Sequence, residues 1–181
     1  MKKDKLTIKA KKEGYLARSA YKLLEIQRKY HLIKKNSRVL DLGCWPGGWL
    51  EVAREITPFI VGVDLKKTEI GAETYVMDIL SDDVFSLGTF DVVLSDVAPH
   101  TTGDIAFDQY RSFALSSRSF QIAQKLLKKN GNFLVKIFQG PDSMKLLEKM
   151  KKQFHLTRCI KPQSSKQHSK EVYFLGLGFK G

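Results

Sequence analysis

The chain has 181 residues, a formal net charge of +12 and 43% hydrophobic residues. That size favours one domain around one sizeable core, and no run of about 18 apolar residues marks a membrane span. The two cysteines, Cys44 and Cys159, are far apart in sequence and read as reduced thiols, and no Cys/His spacing fits a metal centre.

The charge is segregated along the chain. Residues 1–36 carry twelve Lys/Arg against three Asp/Glu, residues 37–121 six against thirteen, and residues 122–181 thirteen against three. Basic ends therefore flank an acidic middle. Basic surface attracts phosphate backbones largely without regard to sequence, so this pattern favours a nucleic-acid partner over a merely solvated lysine-rich surface. No apolar run follows Met1-Lys2-Lys3-Asp4-Lys5, so no secretory leader is expected and the cytoplasm is the expected location.

Residues 1–14 read as a basic, flexible arm, and 15–181 as a single domain. Lys2, Lys3, Lys5, Lys9, Lys11 and Lys12 suit either a solubilising tail or an arm that orders on RNA, and the second reading is preferred. Leu16, Ala20, Leu23, Leu24 and Gln27 recur at near-helical spacing, which predicts an amphipathic helix over 15–31. Strands are predicted at 37–41, 59–64, 74–77, 90–95, 131–137, 155–160 and 171–179, with helices at 48–56, 81–86, 108–129 and 141–153. The alternation implies an α/β fold: a mostly parallel seven-stranded sheet with helices on both faces. No helix separates the last two strands. Residues 162–170 form a polar loop there, expected to be flexible around His168, so an antiparallel hairpin at the sheet edge is expected.

The first strand runs into Asp41-Leu42-Gly43-Cys44-Trp45-Pro46-Gly47-Gly48-Trp49. A strand that ends in a glycine turn and opens a helix is a nucleotide-binding device, because glycine permits positive φ and close backbone approach. Asp64 lies 21 residues after Gly43, close to the offset of about 20 at which a carboxylate grips a ribose. Loop and carboxylate together point to an adenosine-containing cofactor. Asp96 directly follows the apolar strand 90–95, and Lys136 sits between Val135 and Ile137 inside another. A lysine there needs a partner or a route to water, so the two are site candidates beside the plainer reading of a snorkelling Lys and a capping Asp. Trp49 suits either the core or the cofactor loop. His100, after Pro99, reads as a solvated loop residue.

Five segments occur in order: Arg18-Ser19-Ala20-Tyr21-Lys22-Leu23, Asp41-Leu42-Gly43 with Pro46-Gly47-Gly48-Trp49, Ser95-Asp96-Val97-Ala98-Pro99, Val135-Lys136-Ile137-Phe138-Gln139-Gly140, and Ser169-Lys170-Glu171-Val172-Tyr173. From about Arg18 to the C-terminus the chain resembles the FtsJ-type (heat-shock) ribosomal RNA large-subunit 2′-O-methyltransferases. The resemblance implies a Rossmann-like methyltransferase fold and a Lys-Asp-Lys-Glu tetrad at Lys22, Asp96, Lys136 and Glu171, with Lys136 as proton acceptor. It implies S-adenosylmethionine held by Gly43, Gly47, Trp49, Asp64, Asp78 and Asp96, no metal, and a monomer. The implied substrate is a uridine of large-subunit ribosomal RNA within the subunit or its precursor. Cys44-Trp45 departs from the small residues usual in the family loop and bears on the loop's packing or the rim of the cofactor pocket.

A free lysine has a pKa near 10.4 and a general base works best at about 7–8, so Lys136 either loses its proton in the site or stays charged and steadies the developing alkoxide. Three other functions share part of the pattern. Ribose methylation of transfer RNA would use the same tetrad. A dinucleotide oxidoreductase would want Gly-x-Gly-x-x-Gly, whereas these glycines stand at 43, 47 and 48. A non-catalytic RNA-binding module would have no use for the carboxylates of the tetrad.

Overall fold

The computed structural model describes residues 5–166 and 169–181. Its strands are β1 (Val39–Leu42), β2 (Ile60–Asp64), β3 (Glu73–Val76), β4 (Phe90–Ser95), β5 (Leu127–Phe138), β6 (Phe154–Ile160) and β7 (Glu171–Phe179). Its α-helices are α1 (Lys5–Lys12), α2 (Ala20–Tyr30), α3 (Gly48–Arg54), α4 (Ile105–Leu126) and α5 (Ser143–Gln153), with a 3-10 turn at Asp82–Leu87. The strands form one sheet in the order β3-β2-β1-β4-β5-β7-β6. The first five pair in parallel, while β7 runs antiparallel to both β5 and β6. The expected hairpin is therefore present, with its second strand inserted between β5 and the edge.

Each face of the sheet has its own core. Phe90, Phe120, Phe133 and Phe154 are buried on the side of α4 and α5. Leu23, Ile26, Trp49, Leu50, Tyr173 and Leu175 are buried on the side of α2 and α3. Truncating one such aromatic residue to alanine costs about 3–5 kcal/mol through lost transfer energy and a residual cavity.

Several elements depart from the sequence reading for identifiable reasons. Within the arm expected over 1–14, Lys5–Lys12 wind into α1. Ala10 is buried, Lys9 pairs with Glu13 at 3.7 Å, and the Tyr15 N–H closes on the Ala10 carbonyl at 2.8 Å. One buried alanine in a lysine-rich stretch leaves no periodic signal. Lys2 and Lys3, like His168, lie outside the described residues. The helix expected over 15–31 begins only at Ala20. Residues 15 and 16 instead fasten to α3: the Tyr15 hydroxyl donates to Glu55 Oε1 at 2.9 Å and the Leu16 N–H to Glu51 Oε2 at 2.8 Å. Helix α4 begins three residues before the expected 108 because Asp104 caps it, accepting from the N–H groups of Ala106 and Phe107. It also ends earlier, and β5 starts at Leu127 rather than 131.

Helix α4 buries Ser112, Ser116 and Ser119 toward the sheet. Ser116 Oγ donates to the Lys136 carbonyl at 2.9 Å, Ser112 Oγ accepts from the Phe138 N–H at 2.9 Å, and the Ser95 and Ser119 hydroxyls share a bond of 2.9 Å. A serine stripe thus pins the carboxyl ends of β4 and β5, the two strands that carry Asp96 and Lys136. Among the described residues no helix is long and apolar enough to cross a membrane.

Candidate active site

The register of β7 against β5 builds the centre of the site. Lys136 stands opposite Tyr173, and Phe138 opposite Glu171. Side chains alternate along a strand, so Glu171 and Tyr173 project to the same face as Lys136. Helix α2 covers that face and brings Lys22 down onto it; Asp96 arrives one residue past the end of β4.

The four tetrad positions meet as two ion pairs. Lys22 Nζ pairs with Glu171 Oε1. Lys136 Nζ lies 3.1 Å from Asp96 Oδ1 and donates to the Asp96 carbonyl at 2.7 Å. Tyr173 joins the pairs. Its hydroxyl donates to Asp96 Oδ1 at 3.0 Å, and its ring centroid lies 5.8 Å from Lys22 Nζ. Burial, then the charges of Asp96 and Glu171, push the Tyr173 phenol well above its ordinary pKa, so it keeps the proton it donates. The side chains of Lys22, Glu171, Lys136 and Asp96 are 11%, 13%, 8% and 17% exposed, a depth at which removing one charge strands its partner. The Tyr173 role was missed in the sequence, where the residue only ends a motif; its position opposite Lys136 depends on strand register.

Beside the tetrad lies a cavity of about 530 Å³ at the carboxyl ends of the strands. Gly43, Asp64, Asp78, Asp96 and Lys136 line it, along with apolar residues that include Ile79 and Val97. Backbone N–H groups fix two of the carboxylates. Asp64 accepts from Trp45 at 3.0 Å and Lys66 at 2.9 Å, and Asp78 accepts from Leu80 at 2.9 Å. Each carboxylate retains further lone pairs for a ligand. Trp45 stands on the rim, half exposed, with Lys66 Nζ 4.4 Å from its ring centroid, and exposed His100 stands on the same rim.

Gly47 and Trp49 are not among the residues lining this cavity. Trp49 is buried; its indole N–H donates to the Ser19 carbonyl at 3.0 Å, and its ring lies 5.8 Å from that of Tyr173. Gly47 has φ +120°, and a Cβ there would fall 1.9 Å from Ile70 Cδ1. At Gly43, with φ +76°, a Cβ would fall 2.7 Å from Val97 Cγ2. Positive φ thus favours glycine at both positions, and at Gly43 the Val97 backbone, 3.1 Å from the added Cβ, adds a steric reason. Behind the cavity, Asp41 is fully buried and neither carboxylate oxygen has a hydrogen-bond partner among the described residues. Burial, then the charges of Asp96 and Asp64, push its pKa well above the ordinary value.

The loop after β6 touches the tetrad at Ser165, whose hydroxyl donates to Glu171 Oε1 at 3.4 Å. Glu25 accepts from the Gln163 N–H at 2.9 Å, and Arg18 Nη2 donates to the Ser164 carbonyl at 2.9 Å. Helix α2 and the Arg18 just before it thereby hold residues 163 and 164 of that loop.

Known proteins resemble this chain along nearly its whole length. The FtsJ-like methyltransferase family model matches residues 15–179. Ribosomal RNA large subunit methyltransferase E of Methanothrix thermoacetophila is 44% identical over 183 residues, spanning 96% of this chain and 72% of the relative. The protein of the same name from Syntrophobacter fumaroxidans is 42% identical, spanning 93% of this chain and 92% of that one. A Plasmodium falciparum crystal structure named as a ribosomal RNA methyltransferase superposes with a TM-score of 0.81 at 27% identity, covering 92% of this chain and 100% of the other. A sheet that turns back at β7, a carboxylate-lined cavity beyond its strand ends and a match along nearly the whole length place this chain in the FtsJ-like methyltransferase family.

Proposed function

We propose that the protein transfers a methyl group from S-adenosylmethionine to a ribose 2′-oxygen of large-subunit ribosomal RNA, at a uridine. The observation that carries this reading is the convergence of two lysine–carboxylate pairs on Tyr173 at the mouth of a carboxylate-lined cavity. The residues present fit a cationic adenosyl ligand. The volume falls within the range of about 300–1,000 Å³ usual for small-molecule sites. Asp64, Asp78 and Asp96 offer acceptors for a diol and an amine, while Ile79 and Val97 offer apolar surface for a heteroaromatic ring. S-adenosylmethionine, when bound there, supplies an activated methyl carbon on a sulfonium.

The chain's own residues then position the acceptor. Lys136 Nζ donates one hydrogen to the Asp96 carbonyl and lies in ion-pair range of the Asp96 carboxylate, which leaves a tetrahedral direction open to the substrate hydroxyl. In the amine form that direction holds the lone pair that takes the 2′-hydroxyl proton. In the ammonium form it holds a hydrogen that steadies the developing alkoxide. Tyr173 fixes the Asp96 carboxylate that orients Lys136. Lys22, held by Glu171, adds positive charge beside the same oxygen. Alignment of this kind supplies about 7–11 kcal/mol of barrier reduction in favourable cases.

The test is Lys136→Ala, assayed with labelled methyl donor on large ribosomal subunits and on transfer RNA, with donor binding followed by thermal shift. Transfer to the subunit is expected to fall by at least about 100-fold while donor binding persists. Near-normal turnover refutes the role of Lys136. Transfer by the unaltered protein to transfer RNA instead of the subunit moves the acceptor to that RNA. Mapping the modified position in the subunit RNA identifies the nucleotide.

A further inference from the structure

A second concavity, of about 450 Å³, lies at the opposite rim of the sheet, where the strands begin. Lys34, Lys35 and Asn36 form one wall, and Lys129, Asn130 and Asp91 the other. The two basic segments of the sequence meet here: Lys34 and Lys35 close the first, and Lys129 belongs to the opening of the second. The cavity beyond the strand ends makes no use of these residues.

The lysine-bearing loop is built rather than loose. Asn132 Nδ2 donates to the Leu32 carbonyl at 2.8 Å, and the Gln27 amide clamps Ile33 through its carbonyl at 2.8 Å and its N–H at 2.9 Å. The Lys34 N–H donates to Ser37 Oγ at 3.0 Å, the Ser37 N–H returns to the Lys34 carbonyl at 2.9 Å, and Thr57 Oγ1 donates to the Ser37 carbonyl at 2.8 Å. On the facing wall Lys128 Nζ engages Asp91 at 3.0 Å, which accounts for the carboxylate of the groove. Lys34, Lys35 and Lys129 are exposed and have no carboxylate partner among the described residues. A fixed backbone carrying unpaired ammonium groups binds an anion without the entropic cost of ordering the loop.

We propose that this groove is a second docking site for RNA backbone, holding a segment of the substrate remote from the nucleotide being methylated. Lysine is a point-charge binder of phosphate, and the amides of Asn36 and Asn130 suit phosphate oxygens and ribose hydroxyls. The only large apolar residue of the lining, Leu32, is buried, so the groove offers nothing to insert into a lipid surface. From Asn132 to Lys136 is four residues along β5, about 13 Å at 3.3 Å per residue, but that line runs through the packed sheet. An RNA that reaches both places must pass round the outside of the molecule. A short strand in the catalytic mouth fills one site, and a long folded RNA fills both. The proposal rests on the methyltransferase reading for the identity of its ligand.

The experiment compares the unaltered chain with Lys34→Gln/Lys35→Gln/Lys129→Gln, using large-subunit ribosomal RNA and an oligonucleotide of about five nucleotides. Affinity is measured without methyl transfer across a series of salt concentrations. The slope of log affinity against log salt for the long RNA is expected to shrink by about 2–3, since each phosphate contact contributes about 0.7–0.9. In the transfer assay KM for the long RNA rises while kcat holds, and binding of the oligonucleotide is unchanged. The Lys→Arg triple variant keeps the original slope, which separates loss of charge from loss of fold. An unchanged slope and KM on long RNA overturn the proposal. So does an equal loss on both RNAs. Because the slope is read by binding alone, failure of methyl transfer to ribosomal RNA would sink the functional reading and leave this readout standing.

Discussion

Tyr173→Phe isolates one hydrogen bond at the junction of the two ion pairs. The phenol is fully buried, and its proton points at Asp96 Oδ1 at 3.0 Å. Its ring contacts with Trp49 and Lys22 survive the change. A hydrogen bond to a charged group contributes about 1.5–3 kcal/mol. Asp96 still faces Lys136 and its side chain is 17% exposed, so water and the ammonium compensate in part and the lower end applies. For a chain of this length about 1.5 kcal/mol corresponds to a fall in Tm of about 3–6 °C. The same proton fixes the carboxylate that aims Lys136, so kcat should drop by about tenfold, the equivalent of 1.4 kcal/mol, with KM for RNA little changed. Differential scanning fluorimetry reads the first effect and single-turnover methyl transfer the second. A variant with unaltered Tm and kcat would refute the view that Tyr173 couples the pairs. A fall in Tm with kcat intact would make the bond purely structural.

Gly47→Ala should destabilise the protein by about 1–3 kcal/mol, because the residue sits at φ +120° and its new methyl would collide with Ile70. Adding Ile70→Val should recover only part of the loss in a urea melt, since the backbone strain persists; full recovery would mean that φ carries no cost there. Asp41 titrates with a raised pKa, so above the ordinary carboxylate value of 3.8 the native state holds more protons than the unfolded chain. The contribution of Asp41 to stability then falls as pH rises from about 4 toward neutrality, against the opposite contributions of Asp91 and Asp108, whose pKa values are lowered. Asp41→Asn should flatten that component of Tm against pH, and equal slopes in the two proteins would contradict it.

The local elements were legible because their causes are local. The near-continuous apolar runs within Phe90–Ser95 and Glu171–Phe179 marked both strands with their observed bounds. The glycine turn after β1 announced itself because only glycine tolerates its φ values at Gly43 and Gly47. Boundaries slipped where side chains act at a distance: Tyr15 and Leu16 serve α3 rather than their own helix, and Asp104 starts α4 before its apolar periodicity begins.

Local pattern marked Asp96 and Lys136, the family resemblance added Lys22 and Glu171, and the order of residues alone showed charge collecting in two basic segments. Folding settled which amine meets which acid, that Tyr173 joins them, that Trp49 is buried against Tyr173 off the cavity wall, and that Lys34 and Lys129 share a groove. The difference lies in the reach of the interactions. Periodicity and turn chemistry act over a few residues of chain. The pairings depend on strand order and on the antiparallel register of β7 against β5, which bring Lys22 to Glu171 across 149 residues.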